Sequence, residues 1–593
     1  MCGIFGFYGT DKEQQAAAVV LEGLQNLSYR GYDSWGITVV SEGTLHTTKD
    51  VGHVATNVPA SLPKASIAIA HSRWATHGGV TKVNAHPHTA TDGSFVLAQN
   101  GIIENFEVLK SDLQQKGYTF LSQTDTEVIV YLVEEQKKKG LPLDEAVRQA
   151  FLLLDGRNTI LVLSTEGEII AARNGSPLVV GKGKNKDEWY FSSDTLSFAN
   201  TVEKVLVVEN GQMVVCSSGK VELLAISTGK TVEPEFEKFH FASQKADKAG
   251  FDHFMQKEID ETPQVIAQVL AQDKTMLLAL AEAVTSARQV YTLGSGTAGI
   301  ASQQIAFYLR KIAKVNTISL VGAEAQSYFE LFNKDDLIIA PSQSGETADV
   351  LEVLEVAQKK GVKIATYVNM YGSIMTRMAD FPFMAGAGPE MCVMSTKVFT
   401  SQIAWGYLLA KTIAGEFEQG RAQLQELKEQ LRICLDDSAF HAQLKNVAGT
   451  LVDAQDIFLL GKSQNMAMVL EGMVKIIEGS YKHAHGIPAG DLKHYAITIM
   501  EKGVPVFVLV SNDEARTDSI SAGTEVKTRG ATVIGIGQGK VPSFDSFIEL
   551  PDVGEVSAIM NIVPLQLIAY YLTVALGNNV DKPRNIAKSV TVK

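Results

Sequence analysis

The chain has 593 residues, too many for a single hydrophobic core, so we expect three or four domains. Apolar residues make up 45% and charged residues 20%, as in ordinary globular proteins, and the formal net charge of −13 argues against a nucleic-acid-binding surface. The four cysteines are far apart and show no CxxC spacing, which excludes a disulfide framework or a zinc site and is typical of a reducing cytoplasm.

The chain begins "MCGIFGFYG", which places Cys2 directly after the initiator methionine. Removal of Met1 leaves the α-amine of Cys2 a few bonds from its own thiol. An α-amine titrates near ~7.7–8, so it can accept the thiol proton as a general base. The position predicts an N-terminal nucleophile; the alternative is an incidental small residue in an N-terminal strand, because thiol reactivity depends on its surroundings.

Residues 1–238 are rich in short apolar runs separated by turn residues, with helical patterns near 13–29 and 125–139. These patterns predict an α+β layered domain. Within it, "VLVVENGQMVVC" predicts a hairpin with a type I′ turn at Asn210-Gly211. The histidines of "HPH" at 86–88 lack a nearby acid or cysteine pattern, so we interpret them as structural rather than metal-binding. The polar stretch 239–253 is predicted to be a linker.

From residue 254 the pattern changes to strand–loop–helix units, and a pair of such units recurs about 166 residues later. Strands that alternate with helices indicate parallel sheets covered on both faces. We therefore predict two copies of one α/β domain, at 254–435 and 436–593, joined by a helical stretch around 405–447. We identify neither a signal peptide nor an uncharged apolar run near the ~18 residues that span a bilayer, and expect no membrane contact.

Two loops of the first copy could hold a phosphate. "GSGTAG" (294–299) fits G-x-G-x-x-G, but the acid that a dinucleotide ribose would need comes only at Glu324, so a dinucleotide is disfavoured there. In "SQSGETADV", the hydroxyls of Ser342, Ser344 and Thr347 precede a helix, where free backbone N–H groups favour an anion. The alternative is a simple helix cap. The matching loop "SNDEART" of the second copy carries acids, so phosphate is expected only in the first.

Glu471, Lys475 and Glu478 share one face of a predicted helix whose other residues are apolar. Such a stripe can be a solvated set of salt bridges. On an otherwise buried helix it instead indicates a polar cavity or a subunit interface.

Together these segments resemble the glutamine–fructose-6-phosphate aminotransferase (isomerizing) family over essentially the whole chain. The shared motifs are "MCGIFG", "YRGYDS", "HSRWATHG", "NAHPH", "NGIIEN", "TDTEV", "MQKEI", "SQSGETAD", "STKVFTSQ", "LEGMVKIIE" and "DKPRNIAKSVTV". The resemblance implies an N-terminal-nucleophile glutaminase domain with four αββα layers, followed by two doubly wound sugar isomerase (SIS) domains. It also implies a homodimer formed through the SIS domains, which uses glutamine and fructose 6-phosphate and needs no metal or other cofactor.

The implied activity is the conversion of fructose 6-phosphate to glucosamine 6-phosphate, with release of glutamate and channelled transfer of ammonia. By resemblance, Cys2 attacks the glutamine amide, and Asn100 and Gly101 stabilise the oxyanion. Arg73 pairs with the α-carboxylate and Asp125 with the α-ammonium of glutamine. The remaining residues implied for the glutamine site are Trp74, as the gate of the ammonia channel, Thr76 and His77.

For the sugar half, the resemblance implies that Glu478 moves a proton between C2 and C1, His494 opens the sugar ring, and Lys588 forms a Schiff base with the ketose. The implied phosphate-loop contacts are Thr297, Ser342, Gln343, Ser344, Thr347 and Ser395. The apolar tail "RNIAKSVTV" is expected to pack over the sugar pocket, where burial would leave the Lys588 amine neutral.

Three departures from the family pattern cluster in the sugar half. Ala298 replaces a hydroxyl residue in "GSGTAG", His485 replaces an acid, and "DLKHYAITI" differs from the usual segment. A paralogue that aminates or deglycates another ketose- or amino-sugar phosphate therefore stays open as an alternative. A sugar-phosphate-sensing regulator is disfavoured, because it would not retain a complete glutaminase site and no DNA-binding helix-turn-helix is evident.

Overall fold

The computed structural model describes residues 2–10, 15–27, 30–185, 187–198, 201–238 and 247–590, with only the backbone of Leu196. The chain divides near residue 243 into two compact units, and Ser589 and Val590 group with the first unit. The predicted linker 239–253 lies partly outside the described residues.

The first unit is built mainly from strands. These are β1 (Gly3–Tyr8), β2 (Ser34–Ser41), β3 (Thr44–Val51), β4 (Ile67–Arg73), β5 (His88–Thr89), β6 (Phe95–Gly101), β7 (Asn158–Ser164), β8 (Ile169–Asn174), β9 (Val179–Gly183), β10 (Trp189–Ser192), β11 (Val202–Val207), β12 (Gln212–Ser217), β13 (Lys220–Ala225), β14 (Thr231–Val232) and β15 (Glu237–Lys238). The helices are α1 (Ala16–Asn26), α2 (Phe106–Gln115), α3 (Thr126–Lys138) and α4 (Leu143–Phe151). The expected helices near 13–29 and 125–139 are thus present, whereas α2 and α4 were not predicted.

The strands form two antiparallel sheets that pack face to face. One has the order β15-β11-β9-β10-β1-β4-β2-β3 and the other β14-β13-β12-β8-β7-β6-β5. An apolar core that includes Ile4, Ile69, Val96 and Leu161 fills the space between them. A second core packs α1 on the outer face of the first sheet, and a third packs α2, α3 and α4 on the outer face of the second. The unit therefore has the four αββα layers that were expected.

The predicted hairpin at Asn210-Gly211 is wrong. Strand β11 pairs with β9 and β15 in one sheet, whereas β12 pairs with β8 and β13 in the other. Gly211 does have the positive φ of +77° that its turn requires. The turn carries the chain from one sheet to the other, because an Asn-Gly pair specifies a tight turn but not the partners of the strands beside it.

The second unit alternates strands and helices. Its strands are β16 (Val290–Gly294), β17 (Thr317–Val321), β18 (Leu337–Ser342), β19 (Lys363–Val368), β20 (Phe381–Met384), β21 (Asp456–Gly461), β22 (His483–Pro488), β23 (Pro505–Val510), β24 (Thr532–Gly537) and β25 (Ser546–Glu549). Its helices are α5 (Phe254–Asp260), α6 (Thr262–Leu270), α7 (Lys274–Ser286), α8 (Gly296–Lys311), α9 (Ala348–Lys359), α10 (Ile374–Met378), α11 (Lys397–Ile413), α12 (Phe417–Asp436), α13 (Ser438–Thr450), α14 (Met466–Ser480), α15 (Arg516–Thr528) and α16 (Ser557–Ala575).

Two parallel five-stranded sheets carry the duplication predicted from the sequence. Their orders are β17-β16-β18-β19-β20 and β22-β21-β23-β24-β25, which is the same 2-1-3-4-5 order within each copy. One continuous apolar core extends through both copies. In open sheets of this kind, ligands bind at the carboxyl ends of the strands, where the strand order reverses. In the first copy, the loops after β16 and β18 lie at this position.

The expectation that no apolar run is long enough to span a bilayer is also wrong. The helical segment Gly554–Ala575 has a mean hydropathy of 1.6 and is long and apolar enough to cross a membrane, but 83% of its apolar window is buried. Helix α16 within it packs against α13 and α14 of the second copy. A helix that is apolar on all sides is a core helix or a membrane span, and its burial inside the protein identifies the former.

Candidate active sites

The first candidate site, in the first unit, surrounds Cys2. Strand β1 pairs with β4 so that Gly3 faces Ser72, which places Cys2 beside the end of β4. The backbone N–H of Trp74 donates to the Cys2 Sγ at 3.4 Å, and the thiol lies 3.6 Å from the Trp74 carbonyl oxygen. Burial raises the pKa of the Cys2 thiol, while the positive charge of Arg73 lowers it.

Arg73 shapes the loop that follows it. Its buried guanidinium donates to the carbonyl oxygens of Gly79 at 3.1 Å and Gly78 at 3.2 Å, and also to that of His77. The Asp33 carboxylate accepts the N–H of Ala75 at 2.8 Å and so fixes the start of the same loop. Within the loop Trp74 and His77 are half-buried and Thr76 is exposed.

Asp125 lies directly before α3 and is 4% exposed. Its Oδ2 accepts the backbone N–H of Ile103 at 2.9 Å. Burial raises the pKa of this carboxyl. The charge of Asp125 raises the pKa of the Cys2 thiol, and the charge of Arg73 lowers it. The structure therefore brings Cys2, Arg73 and Asp125 to one site.

Asn100 and Gly101 end strand β6. Gly101 has a φ of +135°, and a Cβ at this position would lie 2.2 Å from the Arg157 carbonyl oxygen and 2.8 Å from the Asn158 Oδ1. Only glycine fits this backbone without movement.

The second candidate site, in the second unit, includes the loop after β18. The Ser342 hydroxyl accepts the N–H of Gly345 at 2.9 Å, and that of Ser344 accepts the N–H of Glu346 at 3.2 Å. Gly345 has a φ of +67° and allows the tight turn. Thr347 precedes α9, and the half-buried Gln343 lies within the loop. The loop lies at the start of α9, and a helix N-terminus favours an anion.

Lys588 is fixed by a buried carboxylate that the sequence analysis did not identify. Its Nζ lies 2.5 Å from the Glu390 Oε2 and 2.7 Å from the Cys392 carbonyl oxygen, with side-chain exposures of 3% for Lys588 and 0% for Glu390. The Ser395 hydroxyl donates to the same carboxylate at 2.8 Å. Burial alone raises the pKa of Glu390, but the Lys588 charge and several hydrogen bonds outweigh it, so that pKa lies below its usual range. This ion pair differs from the neutral, merely desolvated amine that we expected.

The charged stripe of α14 is buried and connected to the first copy. Lys475 lies 2.5 Å from Glu478 and 3.4 Å from Glu471, and Lys475 and Glu471 are fully buried. The Thr297 hydroxyl of the "GSGTAG" loop donates to Glu471 at 3.2 Å. Burial raises the pKa of Glu471 to about 8, and the two neighbouring carboxylates raise the pKa of Lys475 against the opposing effect of burial. The stripe is therefore not a solvated set of salt bridges.

His494 does not join these groups. It ends a short 3-10 helix, Leu492–His494, and is exposed. Among the described residues, no hydrogen bond or ion pair links its side chain to Glu478, Lys588 or the phosphate loop.

Sequence reasoning missed several residues that organise these sites. Asp33 and Glu390 lie in or beside segments that we quoted, "YRGYDS" and "STKVFTSQ". Glu390 is a single acid in an otherwise apolar segment, and this pattern could have identified it. Glu258, in "MQKEI", is another example, because it accepts the N–H of Cys392 at 3.2 Å and burial raises its pKa to about 8.

Comparison with known proteins places the chain in a family. The glutamine amidotransferase domain model matches residues 71–200, and the SIS domain model matches residues 283–412 and 450–576. The chain is 36% identical to a glutamine–fructose-6-phosphate aminotransferase [isomerizing] of Thermococcus kodakarensis over 611 residues, and 36% identical to one of Thermus thermophilus over 612 residues, with 100% of each chain covered. The structure of the C-terminal domain of glucosamine-fructose-6-phosphate aminotransferase from Francisella tularensis is 28% identical, with a TM-score of 0.52, and covers 57% of this chain and 100% of that one. The chain belongs to the glutamine–fructose-6-phosphate aminotransferase (isomerizing) family.

Proposed function

We propose that the protein hydrolyses glutamine and transfers the released nitrogen to fructose 6-phosphate, forming glucosamine 6-phosphate and glutamate. The similarity to aminotransferases of that name over the full length of both chains carries this proposal. The arrangement of Cys2, Arg73 and Asp125 in one unit, and of the hydroxyl-rich loop and Lys588 in the other, supports it.

In the glutamine half, the freed α-amine of Cys2 takes the thiol proton, and the thiolate attacks the side-chain amide carbon. Asn100 and Gly101 stabilise the resulting oxyanion by hydrogen bonds. Ammonia then leaves, and water hydrolyses the thioester to release glutamate. Arg73 and Asp125 hold the α-carboxylate and α-ammonium, and Thr76 and His77 complete the binding loop.

In the sugar half, the loop of Ser342, Gln343, Ser344 and Thr347 binds the phosphate, with Thr297 and Ser395 beside it. His494 opens the ring, and the Lys588 amine condenses with the C2 ketone, releasing water. Ammonia displaces the lysine to give the fructosimine. Glu478 then moves a proton from C1 to C2, which yields the aldose. We propose that ammonia reaches this half without release to solvent, with Trp74 as the gate, because protonated ammonia is not a nucleophile.

Lys588 must lose its proton to water before it can attack. The Glu390 carboxylate lies 2.5 Å from the Lys588 Nζ and positions this amine. Sodium borohydride with fructose 6-phosphate should therefore attach the sugar to the peptide that contains Lys588. Deletion of residues 585–593 should abolish amino-sugar formation while some glutamine hydrolysis remains. Amino-sugar formation at an ordinary rate by the truncated protein would refute this role of Lys588.

The acceptor could instead be another ketose- or amino-sugar phosphate, because the departures at Ala298 and His485 fall in the sugar half. His485 stacks on Phe458 at 5.0 Å, an arrangement that a carboxylate could not make. Incubation with glutamine and a panel of hexose phosphates, followed by mass analysis, separates the two. Fructose 6-phosphate should give the fastest amino-sugar formation; a faster reaction with another sugar phosphate would identify that acceptor.

We further propose that residues 1–238 form the N-terminal-nucleophile domain, and that 254–435 and 436–593 form the SIS domains. We propose a homodimer formed through the SIS domains. Tyr495 and Ile499, beside His494, are 56% and 54% exposed, as expected of a surface that a second copy covers. The four free cysteines support a cytoplasmic location. Light scattering of the purified protein tests the dimer.

A further inference from the structure

His71 is a fully buried histidine that touches the predicted oxyanion residue. It lies on β4 two residues before Arg73, so both side chains point to the same face of the sheet. Its Nε2 is 2.9 Å from the Gln99 carbonyl oxygen and 3.2 Å from the Asn100 Oδ1. The contact joins the first sheet to the end of β6 in the second.

The partners determine which nitrogen of His71 carries the proton. A backbone carbonyl oxygen can only accept, so Nε2 must be the N–H donor. The Nδ1 is buried and has no hydrogen-bond partner within the described residues, which disfavours a second proton. Burial correspondingly lowers the pKa of His71 to about 3. The ring is therefore a neutral donor of fixed direction at any physiological pH.

A fixed donor at this position orients the Asn100 amide. Only the amide oxygen can face an N–H group, so the Asn100 nitrogen must point the other way. Among the described residues, the Asn100 side chain is hydrogen-bonded only through Oδ1, to His71. With the amide reversed, Oδ1 would face the developing oxyanion and repel it.

A second histidine holds this arrangement from behind. The His71 ring packs on that of His86, with ring centroids 4.3 Å apart. The Gln99 N–H donates to the His86 Nδ1 at 3.5 Å, the His86 Nε2 lies 3.1 Å from the Thr126 hydroxyl, and this hydroxyl donates to the Gln99 Oε1 at 2.5 Å. Gln99 is thus fixed through both its backbone and its side chain, directly before Asn100.

We propose that His71 is a positioning residue for glutamine hydrolysis, which fixes the Asn100 amide with its nitrogen toward the oxyanion. The inference rests on the proposed glutaminase function. Arg73 and Asp125 are the residues proposed to hold the α-carboxylate and α-ammonium of glutamine, and within the described residues His71 hydrogen-bonds to neither. Removal of His71 should therefore affect the transition state rather than the binding of glutamine.

Two substitutions test this role. His71→Leu removes the donor and should lower the kcat of glutamate release by about 10–100-fold, with the KM for glutamine changed by less than about three-fold. His71→Gln keeps an N–H donor near the Nε2 position and should retain kcat within about five-fold of wild type. His88→Leu is the matched control, because it also removes a buried imidazole of the same cluster but one that does not contact Asn100. It should leave kcat within about three-fold.

A double-mutant comparison separates positioning from general disruption. Asn100→Ala should itself lower kcat strongly, and adding His71→Leu should lower it by less than about two-fold further, because the amide to be oriented is gone. Full additivity, or a kcat within three-fold of wild type for His71→Leu alone, would overturn the inference. If His71→Leu does not fold, equal kcat values for His71→Gln and His71→Asn would overturn the inference. A wild-type protein that releases no glutamate would instead refute the proposed function.

Discussion

The conformation of Gly101 makes a quantitative test of the oxyanion assignment possible. An alanine Cβ would lie 2.2 Å from the Arg157 carbonyl oxygen, whereas real Cβ contacts are essentially never below 3.0 Å. The backbone at residue 101 must therefore shift until this gap opens, and its N–H moves with it. Loss of one oxyanion donor, or a displacement of about 1 Å, lowers kcat by ~10²-fold, which corresponds to about 2.7 kcal/mol.

We therefore expect Gly101→Ala to lower the kcat of glutamate release by about 10²–10³-fold, with the KM for glutamine little changed. Glutamate release at saturating glutamine is the assay. Gly93→Ala is the control, because Gly93 also has a positive φ of +71° but a Cβ there would meet nothing within 4 Å. It should cost only about 1 kcal/mol of stability and leave kcat unchanged. A Gly101→Ala protein with kcat within three-fold of wild type would refute the assignment.

Three further results are expected. Cys2→Ala should release no measurable glutamate, while Cys434→Ala, at a half-buried cysteine, should behave as wild type; glutamate release by the first would exclude Cys2 as nucleophile. Glu390→Gln should slow amino-sugar formation by at least about ten-fold, because the Lys588 ion pair is lost, with sugar-independent glutamine hydrolysis unaffected; an unchanged rate contradicts the positioning of Lys588 by Glu390. Glu258 has its pKa raised to about 8 by burial, so its contribution to stability is present below the unfolded pKa of about 4.5 and is lost as pH rises through about 8. The melting temperature of Glu258→Gln should therefore exceed that of wild type by more at pH ~8.5 than at pH ~6, and an equal difference at both would show that Glu258 titrates normally.

Much of the fold could be predicted because local patterns determined it. The strand–loop–helix units recur about 166 residues apart, and the two sheets have the same strand order. The hairpin at Asn210-Gly211 could not be predicted correctly, since a turn signal is local whereas the choice of partner strand depends on distant residues. Helices α2 and α4 were missed, and each buries only part of its surface against the second sheet.

For the candidate sites, too, some residues could be identified from local sequence and others only from the tertiary structure. From the sequence alone, the position of Cys2 and the hydroxyls of the loop at 342–347 indicated candidate chemistry, whereas Arg73 and Asp125 were implied only by the family resemblance, and these roles stay predictions. Tertiary structure alone decided that Glu390 pairs with Lys588, which is 198 residues away, and that His71 meets Asn100 across two sheets. It also decided that the apolar helix α16 is a core helix rather than a membrane span. The physical reason is that burial and ion pairing depend on which distant segments meet, and no local pattern contains that information.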